Sequence, residues 1–77
     1  MRDARIITDP AILKGKPCLR GTRISVEFIL ELISSGATVP EIVEAYPQLN
    51  REDVQSAVHF AAEYLRHDDL LELEILR

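Results

Sequence analysis

Cysteine, histidine and glycine are scarce in these 77 residues, at one, two and three copies. The lone Cys18 excludes an internal disulfide, and so few Cys and His residues exclude a structural zinc site, which needs several such ligands at set spacings. A reducing, cytoplasmic setting is expected, with no metal and no cofactor. Long hydrophobic runs are missing too: Glu27, Glu31 and Glu63 break the longest apolar stretches, and MRDARIITDP has no apolar run of signal-peptide length. Neither a membrane span nor export is expected, and no repeat or low-complexity segment is present.

What remains is globular in composition, 47% apolar and 29% charged, too hydrophobic for a disordered acidic tail. A chain of 77 residues makes one domain at most, and its core is marginal because only ~60% of the unfolded surface can be buried at such a size. Help from a partner chain is expected on that ground. The formal charge of −4 is unevenly placed. Residues 1–23 hold six basic and two acidic groups, whereas residues 24–77 hold three basic and eleven acidic ones. This polarity could steer the protein towards a charged partner, or both faces could simply be solvated.

Three segments follow from the patterning: a β-arm over 1–24, a helical core over 25–66 and an amphipathic tail over 67–77. RIIT is a short β-branched run closed by the turn-forming Asp9-Pro10, and CLRGTRI is a second run interrupted by Gly21, which together suggest a small hairpin with a loop near residues 9–17. From Ser25 the period changes. Val26, Ile29, Leu30 and Ile33 fall on one helical face, with Ser25 as N-cap and Gly36 as stop. TVPE at 38–41 is a capping box for a second, two-turn helix that Pro47 ends. Asn50 caps a third helix, with Val54, Ala57, Val58, Ala61 and Leu65 as its expected buried stripe, widened by Phe60 and Tyr64. After Asp68 and Asp69, the tail LLELEILR brings Leu70, Leu71, Leu73, Ile75 and Leu76.

GKPCLRGTRIS is basic and glycine-rich, but it is no phosphate loop: Lys16 is followed by proline, and Pro10 stands where the first glycine of G-x-x-x-x-G-K-[ST] would be. The stretch is read as a structural turn built by Gly15, Pro17, Gly21 and Thr22. Arg20 and Arg23 are not required by such a turn, so they carry its candidate functional signal. Cys18 in a strand is read as a small buried apolar residue.

The helix order, short helix, YPQLN turn and longer helix, is the outline of a homeodomain-like helix-turn-helix. In a DNA reader the third helix would present Arg51, Gln55, Ser56 and His59 to base edges, with Arg20 and Arg23 supplying contacts from the arm. Glu52 and Asp53 oppose this reading, because they would sit near phosphates without a compensating charge. Catalysis is not expected: His59 lies on a polar face, within reach of Glu63, and the carboxylates are spread along surfaces instead of converging.

Over residues 6 to about 66 the chain resembles the small prokaryotic family known as domain of unknown function 433, DUF433. GKPCLRGTRI, the isolated Gly36 and YPQLNREDVQSAV carry the resemblance by their order and spacing. It implies a dimeric, homeodomain-like domain with an N-terminal β-arm, and a non-catalytic antitoxin similar to the VapB type, paired with a PIN-like nuclease toxin. The fold expected is thus mainly α: a three-helix helix-turn-helix, an N-terminal β-hairpin or arm, and a short C-terminal helical tail. The tail leucines and Ile75 are the candidate toxin contact, although they could equally cap the core or the dimer. Binding to operator DNA, as a repressor, and a toxin-free interaction domain are the alternative roles.

Overall fold

Two very short strands begin the chain, β1 (Ile6–Ile7) and β2 (Cys18–Leu19), paired antiparallel with Ile6 opposite Leu19 and Ile7 opposite Cys18. The computed structural model describes residues 4–66. A ladder this short cannot sustain itself. Burial holds it: Cys18 and Leu19 are fully enclosed, and Ile6 packs against the same hydrophobic cluster. The connector turns at Asp9-Pro10, where the Asp9 carboxylate accepts from Ala11 N at 2.9 Å and its carbonyl accepts from Ile12 N at 2.8 Å. Leu13, Lys14 and Gly15 then all have positive φ, at 52°, 57° and 86°. Gly15 adopts this freely, but Leu13 and Lys14 each carry roughly 1 kcal/mol of backbone strain. Hydrogen bonds from Gly15 N to Ile12 O and from Lys16 N to Leu13 O hold the turn closed.

The helices start and stop where the capping signals stand. The hydroxyl of Ser25 accepts from Phe28 N at 2.9 Å, opening α1 (Val26–Ser34). Its end is a Schellman closure, in which Gly36 (φ +103°) donates to Ile33 O and Ala37 donates to Leu32 O. Thr38 and Glu41 exchange reciprocal bonds at 3.3 and 2.8 Å to open α2 (Val39–Ala45), with Pro40 in the first turn, where a missing N–H costs nothing. Asn50 and Asp53 repeat the device at 2.8 and 2.9 Å for α3 (Arg51–Arg66).

One core serves every element. Leu19, Ile24, Val26, Ile29, Ile42, Leu49, Val54 and Ala57 form a single buried cluster drawn from the hairpin, the three helices and the turn between α2 and α3. Full burial of each large aliphatic side chain is worth roughly 1.5–3 kcal/mol. Helix α3 packs on α1, on α2 and on β1. The hairpin is therefore part of the body of the molecule, seated on its own α3. The expected tail at 67–77 lies outside the described residues.

The stripe expected on α3 needs correction. Val54 and Ala57 are buried and Phe60 packs against the core, but Val58, Leu65 and Tyr64 remain 43%, 48% and 69% exposed. Ser56, expected outside, is buried. Residues step by about 100° around a helix, so the buried sector has turned from the Val58 side towards Ser56 and Phe60. Helix α3 is packed by α1, α2 and β1 together, and these neighbours set which sector is covered.

Candidate functional site

The outer face of α3 starts at a helix end tied to the hairpin. Arg5 Nη1 meets Asp53 Oδ1 at 3.1 Å, while the other oxygen of the same carboxylate accepts from Asn50 N. Asp53 is thus turned towards the arm and its charge is matched by a guanidinium. This changes the electrostatic picture drawn from sequence, in which Asp53 confronted an incoming phosphate. Only Glu52 remains as an exposed acid in that first turn.

Arg51, Gln55 and His59 lie exposed along this outer face. Ser56 does not join them: at 9% exposure it is withdrawn towards the core, one helical turn after Asp53, and cannot reach a base edge. Val58 takes its place as an exposed side chain among them. His59 Nε2 stands 3.7 Å from Glu63, whose carboxylate also accepts from Arg66 at 3.0 Å. Arg51 also lines a hollow of about 460 Å³ with Val39, Pro40, Val43 and Glu44 of α2.

The GKPCLRGTRIS stretch divides into scaffold and free charge. Gly21 has φ +79°, a conformation that disfavours any side chain, and the Thr22 hydroxyl donates to Leu19 O at 2.8 Å while accepting from Ile24 N at 3.0 Å. Pro17 O accepts from Val26 N, joining the loop to α1, and Gly15 holds a φ of +86°. Arg20, which the turn itself does not require, is engaged: its Nε donates to Ala4 O at 2.7 Å, and its backbone N donates to Arg5 O at 2.7 Å. Arg23 is exposed and has no side-chain partner among the described residues. Lys16 bonds Glu27 at 2.9 Å, and that bond and charge, with Glu31 adding to them, raise the ammonium above the usual lysine range. Both groups are well exposed, so solvent screens the pair.

A second feature was missed by sequence reading. Val26 and Leu30 of α1 face Phe60, Ala61, Tyr64 and Leu65 of α3 across an open apolar groove of about 420 Å³, with Lys16, Pro17 and Glu27 at its edge. Phe60 and Tyr64 stack along it, ring centroids 6.4 Å apart. The signal was present in the width of the apolar stripe on α3, which exceeds what two short helices can cover. The candidate tail residues Leu70, Leu71, Leu73, Ile75 and Leu76 lie outside the described residues. Among the described residues no group of three or more His, Cys, Asp or Glu is placed to hold a metal ion, and no helix is long and apolar enough to cross a membrane.

Comparison with known proteins matches residues 6–61 to the family model described as protein of unknown function, DUF433. The chain is similar to the uncharacterized protein y4eO of Sinorhizobium fredii (strain NBRC 101917 / NGR234), at 34% identity over 56 residues, covering 73% of this chain and 25% of that protein. It thus spans a quarter of the length of this curated relative. It is also similar to the crystal structure of a DUF433 member protein from Anabaena variabilis ATCC 29413, with a TM-score of 0.72 and 29% identity, covering 95% of this chain and 69% of that one.

Proposed function

The chain belongs to the DUF433 family, whose function is undefined, and from that premise we propose that it is a non-catalytic antitoxin that binds and neutralises a PIN-like nuclease toxin. The observation that carries the reading is the division of α3. Its first half is locked into the core, whereas its last turns present Tyr64 and Leu65 to solvent immediately before a tail rich in leucine. Apolar surface of this kind, on a segment with acidic residues at 68, 69, 72 and 74, suits a basic, groove-bearing protein partner. In this reading the protein is a cytoplasmic homodimer, and Leu70, Leu71, Leu73, Ile75 and Leu76 cover part of the toxin.

Operator binding is the second role, favoured by one specific contact. The Arg5 to Asp53 pair removes one of the two acidic objections to placing α3 in a major groove, leaving Arg51, Gln55 and His59 as base-reading candidates and Arg23 as a phosphate contact. Here α2 and α3 act as a homeodomain-like helix-turn-helix. Co-expression with the small nuclease-like product of an adjacent gene, followed by pull-down and a growth test, examines the first role. A stable complex with rescued growth is expected, and no complex would remove it. A shift assay on DNA upstream of its own gene at two salt concentrations examines the second, which requires salt-sensitive, sequence-dependent binding.

A further inference from the structure

The groove between α1 and α3 needs an occupant. Its walls are Val26 and Leu30 on one side and Phe60, Ala61, Tyr64 and Leu65 on the other, and two of these, Tyr64 and Leu65, are among the most exposed large apolar side chains described. Contiguous apolar surface on a small domain carries a standing cost in water, which favours a covering segment.

The chain itself supplies one. It continues from Arg66, at the groove's own end, for eleven residues, and positions 70–76 hold five large aliphatic side chains separated by Glu72 and Glu74. We propose that residues 70–76 of the same chain seat in this groove. After a chain reversal, reach permits it whether these seven residues are helical or extended. Phe60 to Leu65 occupies about 7.5 Å of helix axis, whereas seven residues span about 10 Å as a helix and about 23 Å extended. His67, Asp68 and Asp69 provide the three residues for the reversal, and chain reversals between packed antiparallel segments commonly take two to five. Glu72 and Glu74 can stay in water while their aliphatic neighbours turn inwards. Proximity decides between occupants: a tail tethered at the groove's rim competes at a high effective concentration, which a second copy reaches only in concentrated solution. The same leucines would then be shielded in the free protein and become available when a partner displaces them. The docking itself stands apart from the identity of any toxin.

Nuclear Overhauser spectra of the full chain, recorded on a mixture of isotope-labelled and unlabelled protein, test this. Contacts between the Phe60 and Tyr64 rings and the methyls of Leu70 to Leu76 are expected within single chains. Their absence overturns the proposal, and contacts found only between labelled and unlabelled chains overturn it in favour of a second copy. A variant with Leu71, Leu73 and Ile75 all changed to Ser gives an independent sign, since none of them belongs to the described core cluster. Binding of an apolar fluorescent dye should rise severalfold, because the groove is uncovered. A fall would mean that the tail itself was the exposed dye site, and the proposal would be wrong.

Discussion

The two halves of α3 have opposite relations to the rest of the molecule. From Asn50 to Ala57 the helix is fixed by a reciprocal cap, by the Arg5 to Asp53 contact and by buried Val54, Ser56 and Ala57. From Val58 to Arg66 no residue is fully buried, and the polar contacts are local, between Glu63 and its neighbours His59 and Arg66. A helix of 16 residues thus has its fully buried positions in its first half, and in its second half only Phe60 packs against the core cluster. The difference leaves the C-terminal end of α3 as the part where side chains can change with least effect on the fold.

A charge placed in each half gives the widest contrast. Val54→Asp buries an uncompensated carboxylate, costing several kcal/mol, which is enough to unfold a domain this small. Leu65→Asp should leave the thermal midpoint within a few degrees, because the side chain is already half in water. Equal destabilisation of both variants in thermal melts would erase the distinction.

Gly21→Val addresses the hairpin that anchors the first half. At φ +79° a β-branched residue costs about 1–3 kcal/mol, although no atom lies near enough to clash with it. Chemical denaturation should show this loss, and a variant as stable as the parent would mean that the turn relaxes without consequence. Asn50→Ala removes the cap of α3 and should cost about 1 kcal/mol, with amide exchange accelerating in the first turn of the helix and not in the last. Uniform acceleration along α3 would contradict independent halves.

The smallest effect belongs to Lys16 and Glu27. Because the Lys16 ammonium is held above its usual range, its contribution is present at neutral pH and up to the ordinary lysine range, then lost as pH rises through the elevated value. Both partners are exposed, so Lys16→Ala should leave the midpoint at pH 7 nearly unchanged while removing this alkaline dependence. A large shift at pH 7 would show that the loop depends on this pair.

Local signals were the legible part of this fold. Ser25, Thr38 with Glu41, Asn50 with Asp53, and Gly36 each declare a helix boundary through bonds made within four residues, so no tertiary knowledge is needed to read them. The two runs that pair as β1 and β2 were legible for the same reason. The orientation of α3 was not. Periodicity places Val58 and Leu65 on an apolar face, but which sector is buried depends on packing against α1, α2 and β1, which leaves Ser56 buried and Val58 exposed. The charge of Asp53 is matched by Arg5, 48 residues away in sequence, and the same arm uses Arg20 to hold Ala4. The left-handed Leu13 and Lys14 were equally hidden, because neither residue type favours that backbone.

The most direct test of the proposed antitoxin role is capture, by the full chain, of the product of a neighbouring gene, compared with a variant carrying Leu70, Leu73 and Leu76 changed to Ser and retaining the same helix content by circular dichroism. A stable complex that blocks nuclease activity, and at least tenfold weaker capture by the variant, are the expected results. No complex with the parent chain, or equal capture by both, would contradict that role.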